Sequence, residues 1–219
     1  MAAKIPKSRV VILIPGIFDR GFSMLRMHRA LEQAGFSAHT IRLKTNSGWY
    51  GMEPMAVQLG DLVEAVTPKG ATCALVGFSM GGIVARYYLQ RLNGAANVHK
   101  FIALSSPHFG SLWAHLLPYK GGRQLRIGSE FLHNLNRDAA MLEGVAPVSI
   151  WTPYDATIVP HTSSRLPLGE TYQVPVSLHR WVPQNPEVIR IVVAELVEVF
   201  GSGGGRTGSQ FSCMKKSRK

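Results

Sequence analysis

Short apolar runs alternate along this chain with longer stretches whose apolar positions recur every three or four residues. Residues 9–14 open the series as a continuous apolar run, the mark of a strand covered on both faces. Residues 23–34 follow at helical period, with Leu25, His28, Leu31 and Ala34 on related faces and Gly35 as the stop. By the same reading, 37–43 is a second strand and 55–66 a second helix closed by Pro68 and Gly70. Residues 72–77 are a third strand, and 80–92 a third helix ending at Asn93-Gly94. Three more strands are predicted at 98–104, 148–152 and 172–176. Residues 186–200 form the last helix, with Val188, Ile191, Val192, Leu196 and Val199 as its stripe and Pro186 in its first turn. Strand and helix in alternation predict an α/β fold, a mostly parallel sheet with helices on both faces. Ligands of such sheets bind beyond the carboxyl ends of the strands.

The interval 109–146 breaks this rhythm. It holds Leu112, Trp113, Leu116, Leu117 and Tyr119, then Gly121-Gly122, then Phe131, Leu132 and Leu135. It reads as helical pieces joined by glycines. Two readings stay open, a decorated crossover and a short lid-like or pocket-forming insertion. Residues 1–200 are thus expected to form one domain, with 201–219 as a flexible basic tail.

Composition narrows the classes. The chain has 219 residues, 46% hydrophobic and 17% charged, enough for a real core. No apolar run approaches the roughly 18 residues of a membrane span, and the basic start lacks a signal peptide's apolar region. The sequence therefore reads as cytoplasmic. Of the net charge of +11, five basic residues and no acidic ones fall in 201–219, leaving 19 basic against 13 acidic over 1–200. The tail reads first as a solvated extension, with charge suited to weak contact with an anionic surface. Basic residues interleaved with aromatics do not occur elsewhere as a nucleic-acid binder requires. Cys73 and Cys213 make no disulfide framework. No metal-ligand cluster is seen, and no cofactor is called for.

Gly77-Phe78-Ser79-Met80-Gly81 lies between the third strand and the third helix. In that context G-x-S-x-G is a nucleophile elbow. The glycines permit a strained turn against neighbouring backbone, and the turn lifts Ser79 Oγ above the sheet. A serine hydroxyl needs a base to take its proton and a carboxylate to orient that base. Asp155 follows the fifth strand in Asp155-Ala156-Thr157-Ile158-Val159-Pro160 and is the preferred carboxylate, with Asp138 a weak competitor. His179 follows the sixth strand and is the preferred base, with His161 the runner-up. An oxyanion hole needs two N–H donors. Met80 supplies one, and the loop Pro15-Gly16-Ile17-Phe18 the other, with Ile17 preferred over Phe18. Phe18, Trp49, His108, Phe109 and Trp113 are the expected pocket lining.

Pro15-Gly16-Ile17-Phe18, Gly77-Phe78-Ser79-Met80-Gly81-Gly82, the Asp155 loop and His179 together resemble the α/β-hydrolase superfamily, nearest its small bacterial lipase and esterase members. Ser105-Ser106-Pro107-His108-Phe109-Gly110-Ser111 and Gly128-Ser129-Glu130-Phe131-Leu132-His133-Asn134-Leu135-Asn136 resemble segments of those lipases. The likeness covers roughly residues 9–200. It implies a minimal α/β-hydrolase fold, a Ser79-Asp155-His179 triad, and Ile17 and Met80 at the oxyanion hole. It departs from many relatives in having Pro15-Gly16 where they have His-Gly. The implied activity is hydrolysis of carboxylic esters of acyl chains through an acyl-enzyme, with an acyl ester, lipid included, as substrate. The alternatives are a thioesterase or acyltransferase using the same acyl-enzyme, and a catalytically inactive lipid- or partner-binding scaffold.

Overall fold

Six strands and six α-helices are seen in the computed structural model, which describes residues 7–201. The strands are β1 (Lys7–Ile14), β2 (Ser37–Thr40), β3 (Thr72–Phe78), β4 (Val98–Leu104), β5 (Pro147–Trp151) and β6 (Glu170–Gln173). They form one sheet in the order β2-β1-β3-β4-β5-β6, every pair parallel. The helices are α1 (Leu25–Gln33), α2 (Glu53–Val66), α3 (Met80–Arg91), α4 (Lys120–Gln124), α5 (Glu130–Arg137) and α6 (Pro186–Gly201).

Period-two alternation within the strands divides the core into two layers. Ile12, Ile14 and Leu75 face the layer that α2 and α3 complete with Met55, Leu59, Ile83 and Leu89. Val11, Leu13 and Val76 face the layer completed by Met27 and Leu31 of α1 and by Val188 and Val192 of α6. Burial on both faces is why these strands read as unbroken apolar runs. One ionic tie crosses the second interface. Lys100 of β4 and Glu195 of α6 pair at 2.7 Å, both buried, and Tyr172 of β6 donates its hydroxyl to the same carboxylate.

Predicted and observed elements differ at the sheet edges. β2 stops at Thr40, although 37–43 reads as strand. Ile41 adds one more bond to Leu13, and Ile41 and Leu43 then bury as loop residues. β6 sits earlier than the predicted 172–176. Val174 still bonds to Trp151, and Val174 and Val176 fill core positions beyond the ladder. Pro175 between them has no N–H to offer a ladder. Burial made both stretches apolar, and periodicity cannot separate buried coil from strand.

The 109–146 interval is helical pieces, as its glycines suggest: 3-10 turns at Leu112–Leu116 and Ala139–Val145 flank α4 and α5. Leu125, Leu132, Leu135, Leu142 and Val145 belong to the main core, so much of the interval is built into the domain. The basic tail and Cys213 lie outside the described residues. Among the described residues, no helix is long and apolar enough to cross a membrane.

Candidate active site

Ser79 links β3 to α3 with φ 53° and ψ −123°, a conformation that a non-glycine residue adopts only at a cost of about 1–3 kcal/mol. Its neighbours hold it there. A Cβ on Gly77 would lie 2.6 Å from Gly82 Cα, and one on Gly81 would lie 2.6 Å from the Pro15 carbonyl oxygen. A Cβ on Gly82 would lie 2.7 Å from Ser106 Cβ. The elbow is therefore wedged between β1, its own helix and the loop after β4. Ser79 N–H donates to Leu104 O at 2.8 Å, tying the turn to the next strand.

Asp155 stands in the loop after β5 and is nearly buried. Its Oδ1 accepts from Thr157 N–H and Ile158 N–H, each at 2.9 Å. Its Oδ2 lies 2.7 Å from His179 Nδ1. Burial pushes this carboxyl's pKa up. The hydrogen bond and charge of His179, with the two backbone donors, outweigh burial and leave it below its ordinary value. The loop is itself fastened to the segment after β4. Ser111 Oγ donates to Thr157 O at 2.9 Å, and Trp113 Nε1 donates to Ala156 O at 2.7 Å.

His179 begins a 3-10 turn at His179–Gln184. Its ring packs on that of Phe78, centroids 4.8 Å apart, which sets the imidazole against the residue immediately before Ser79. Its Nε2 is buried without a partner. The structure thus joins Asp155 to His179 directly and brings His179 to the elbow through Phe78. No hydrogen bond between His179 and Ser79 occurs among the described residues. The sequence competitors are engaged elsewhere. Asp138 pairs with Arg91 at 2.7 Å, and His161 stacks on Trp151 at 5.6 Å.

The loop after β1 runs over the elbow, since a Cβ on Gly16 would stand 3.3 Å from Ser79 Cβ. Of its two candidate donors, Phe18 N–H is taken by Asn46 O at 3.1 Å. Met80 is the first residue of α3, so its N–H is one that a helix leaves without an intrahelical acceptor.

The expected pocket residues divide. Phe18, Trp49, Phe109 and Trp113 are exposed in loops after β1, β2 and β4, with Trp49 stacked on Tyr119 at 5.6 Å. His108 is a correction: it has no exposed surface with which to line a mouth. Its carbonyl accepts from Asn136 Nδ2 at 3.0 Å, and its Nδ1 lies 3.5 Å from Arg86 Nη1. Burial, then the Arg86 charge, hold its pKa well below that of an ordinary histidine. The sequence reading missed Arg86 itself. This fully buried guanidinium of α3 donates to Gln90 Oε1 (3.1 Å), Asn136 Oδ1 (2.9 Å) and Leu135 O (2.8 Å). It fastens the elbow helix to α5. The available signal was a charge within the apolar run 83–89.

Comparison with known proteins agrees with this architecture. The family model for palmitoyl protein thioesterase matches residues 10–116, which include the elbow. No curated protein matches the chain. Among solved structures, the mature form of a Bacillus licheniformis lipase superposes with a TM-score of 0.65 at 17% identity, covering 90% of this chain and 93% of that one. Aspergillus fumigatus lipase B gives a TM-score of 0.75 at 17% identity, over 87% of this chain and 52% of that one. Polyneuridine aldehyde esterase gives 0.61 at 13% identity, over 89% of this chain and all of that one. With its parallel sheet, its elbow after β3 and these matches, the chain has the α/β-hydrolase fold.

Proposed function

We propose that the chain is a serine hydrolase of acyl esters, working through Ser79, His179 and Asp155. The observation that carries this reading is the Asp155–His179 pair at 2.7 Å, packed on Phe78 beside a strained Ser79. Asp155 holds the imidazole with Nδ1–H toward the carboxylate, so Nε2 is the nitrogen left to take a proton. His179 removes the Ser79 hydroxyl proton as Oγ attacks the substrate carbonyl. Met80 N–H and Ile17 N–H receive the developing oxyanion. Collapse of the tetrahedral intermediate expels the alcohol, which leaves with the proton from His179. Water, deprotonated by the same imidazole, then releases the acid and restores Ser79. Residues 109–146 serve as one wall of the acyl pocket, with Phe109 and Trp113 toward its mouth.

A second reading, thioester cleavage, is favoured by the family-model match. It changes only the leaving group, from alkoxide to the more easily expelled thiolate. Assay of p-nitrophenyl esters and acyl thioesters of graded chain length, on the unmodified chain and on Ser79→Ala, tests both. Turnover is expected to fall by at least about 10³-fold in the variant. A fluorophosphonate is expected to phosphonylate the peptide that holds Ser79, Oγ bonding to phosphorus as fluoride leaves, so that the peptide gains the reagent's mass less HF. Undiminished turnover, or labelling at another residue, removes Ser79 from the mechanism.

A further inference from the structure

Exposed apolar surface is concentrated at one end of the molecule. Every exposed aromatic side chain among the described residues, eight in all, lies in the loops that follow the carboxyl ends of β1, β2, β4, β5 and β6. Phe22 is 79% exposed and Phe18 67%, and Trp49, Trp113 and Trp181 stand about half out of the protein surface. Side chains of this size are normally covered, and an exposed group of them marks a contact surface. These loops are tied together, since Phe18 N–H donates to Asn46 O and Trp113 Nε1 to Ala156 O.

Charge at the same end is one-sided. The loops 15–24, 41–52, 105–119, 152–169 and 174–185 hold Arg20, Arg42, Lys44, Arg165 and Arg180, all exposed. Their only acids are Asp19 and Asp155. Asp19 accepts from Gly21 N–H and from the Ser23 hydroxyl, and Asp155 is buried on His179. None of the five basic side chains forms an ion pair among the described residues. Arg165 and Arg180 instead lie over the rings of Trp151 and Trp181.

We propose that this rim docks onto the surface of an anionic lipid bilayer. Aromatic rings favour the boundary between headgroups and acyl chains. Unpaired guanidinium and ammonium groups beside them meet lipid phosphates, an attraction that falls within a Debye length. Charge complementarity selects the occupant: a neutral apolar partner leaves five cations unanswered, and a nucleic acid leaves the aliphatic side chains Leu112 and Leu116 in water. Where the ester-hydrolase reading holds, docking also turns the elbow's end of the sheet toward its acyl substrate.

Binding needs no turnover, so the test uses the full chain carrying Ser79→Ala. Its failure leaves the hydrolase assay untouched, and failure of that assay leaves binding untouched. Sedimentation with phosphatidylcholine vesicles, with and without phosphatidylglycerol, is expected to show about tenfold or greater preference for the anionic vesicles. That binding is expected to fall about tenfold in Arg20→Glu/Arg180→Glu and in Trp113→Ser/Trp181→Ser. It is expected to hold in Lys69→Glu, an exposed site at the opposite end. Brominated lipid is expected to quench tryptophan fluorescence of the unmodified rim, a readout independent of how the variants fold. Equal binding to neutral vesicles overturns the proposal. So does anionic binding that survives both rim variants, which assigns it to the basic tail. So does an unquenched rim.

Discussion

Asp155 is pulled in two directions, by burial toward the neutral acid and by His179, Thr157 and Ile158 toward the carboxylate. The second wins because three donors converge on two oxygens. Asp155→Asn keeps the shape but reverses the hydrogen-bonding logic at His179 Nδ1. Its kcat on a p-nitrophenyl ester is expected to drop about 10⁴-fold, with the fold intact by circular dichroism. Arg86 makes the contrasting case. Burial, and to a lesser degree Arg91, lower its pKa to about 9, which leaves it charged at neutral pH. Among the described residues no carboxylate bonds it; its partners are carbonyl and amide oxygens and His108. Arg86→Met leaves Gln90 Oε1 buried, and Asn136 Oδ1 half-buried, without this donor. It is expected to destabilise by about 3 kcal/mol in urea denaturation. Ser79 was legible because its strained turn demands glycines at fixed offsets. Arg86 was not, because one charge in a helix is normally a solvated one, and only packing against α5 makes it interior.

Elements were legible in proportion to how fully they are buried on a regular ladder or helix. β4 has the bounds that its apolar run predicts, and β3 and α3 differ from theirs by one residue. β2 and β6 lie at the two edges of the sheet. There, pairing on one side ends before hydrophobicity does, and the apolar signal overran the strand. The junction of β3 and α3 is where local sequence and packing agree most closely. Gly82 faces Ser106, in the loop after β4, with no room for a side chain. Gly82→Ala is expected to push α3 off that loop and destabilise by about 1–3 kcal/mol. Because the same shift moves the elbow, residual activity per folded molecule, measured by active-site titration, is expected to fall too. Unchanged stability and activity would mean that the contact relaxes freely.

At the scale of the whole molecule, two histidines are buried as neutral rings. His99 has its pKa lowered to about 4, by burial first and then by Lys7 and Lys100. His108 is also held well below the ordinary 6.5. Between the unfolded value and these folded values, the unfolded chain binds more protons than the native one. Stability is therefore present in full above about pH 6.5 and is lost as pH falls toward 4. The depressed Asp155 carboxyl adds a loss of the same sign, beginning only near its unfolded value of about 3.9. Urea midpoints measured from pH 7 to 4.5 are expected to fall steadily, and His99→Asn to flatten the slope. A midpoint independent of pH over that range would contradict the buried neutral state.

The alternation of strands and helices, the elbow, and the order serine, aspartate, histidine were all determined by the sequence alone. Each is written in short-range terms: a period of two or of 3.6, a glycine where a Cβ has no room, a polar residue just past a strand end. Only the tertiary structure decided that Asp155 meets His179, that Phe78 rather than open space lies beside the imidazole, that His108 turns inward to Arg86, and that the exposed aromatics share one rim. Those outcomes depend on loops far apart in sequence arriving at the same end of a parallel sheet. Such an arrival is settled by packing between layers and has no local spacing along the chain to announce it.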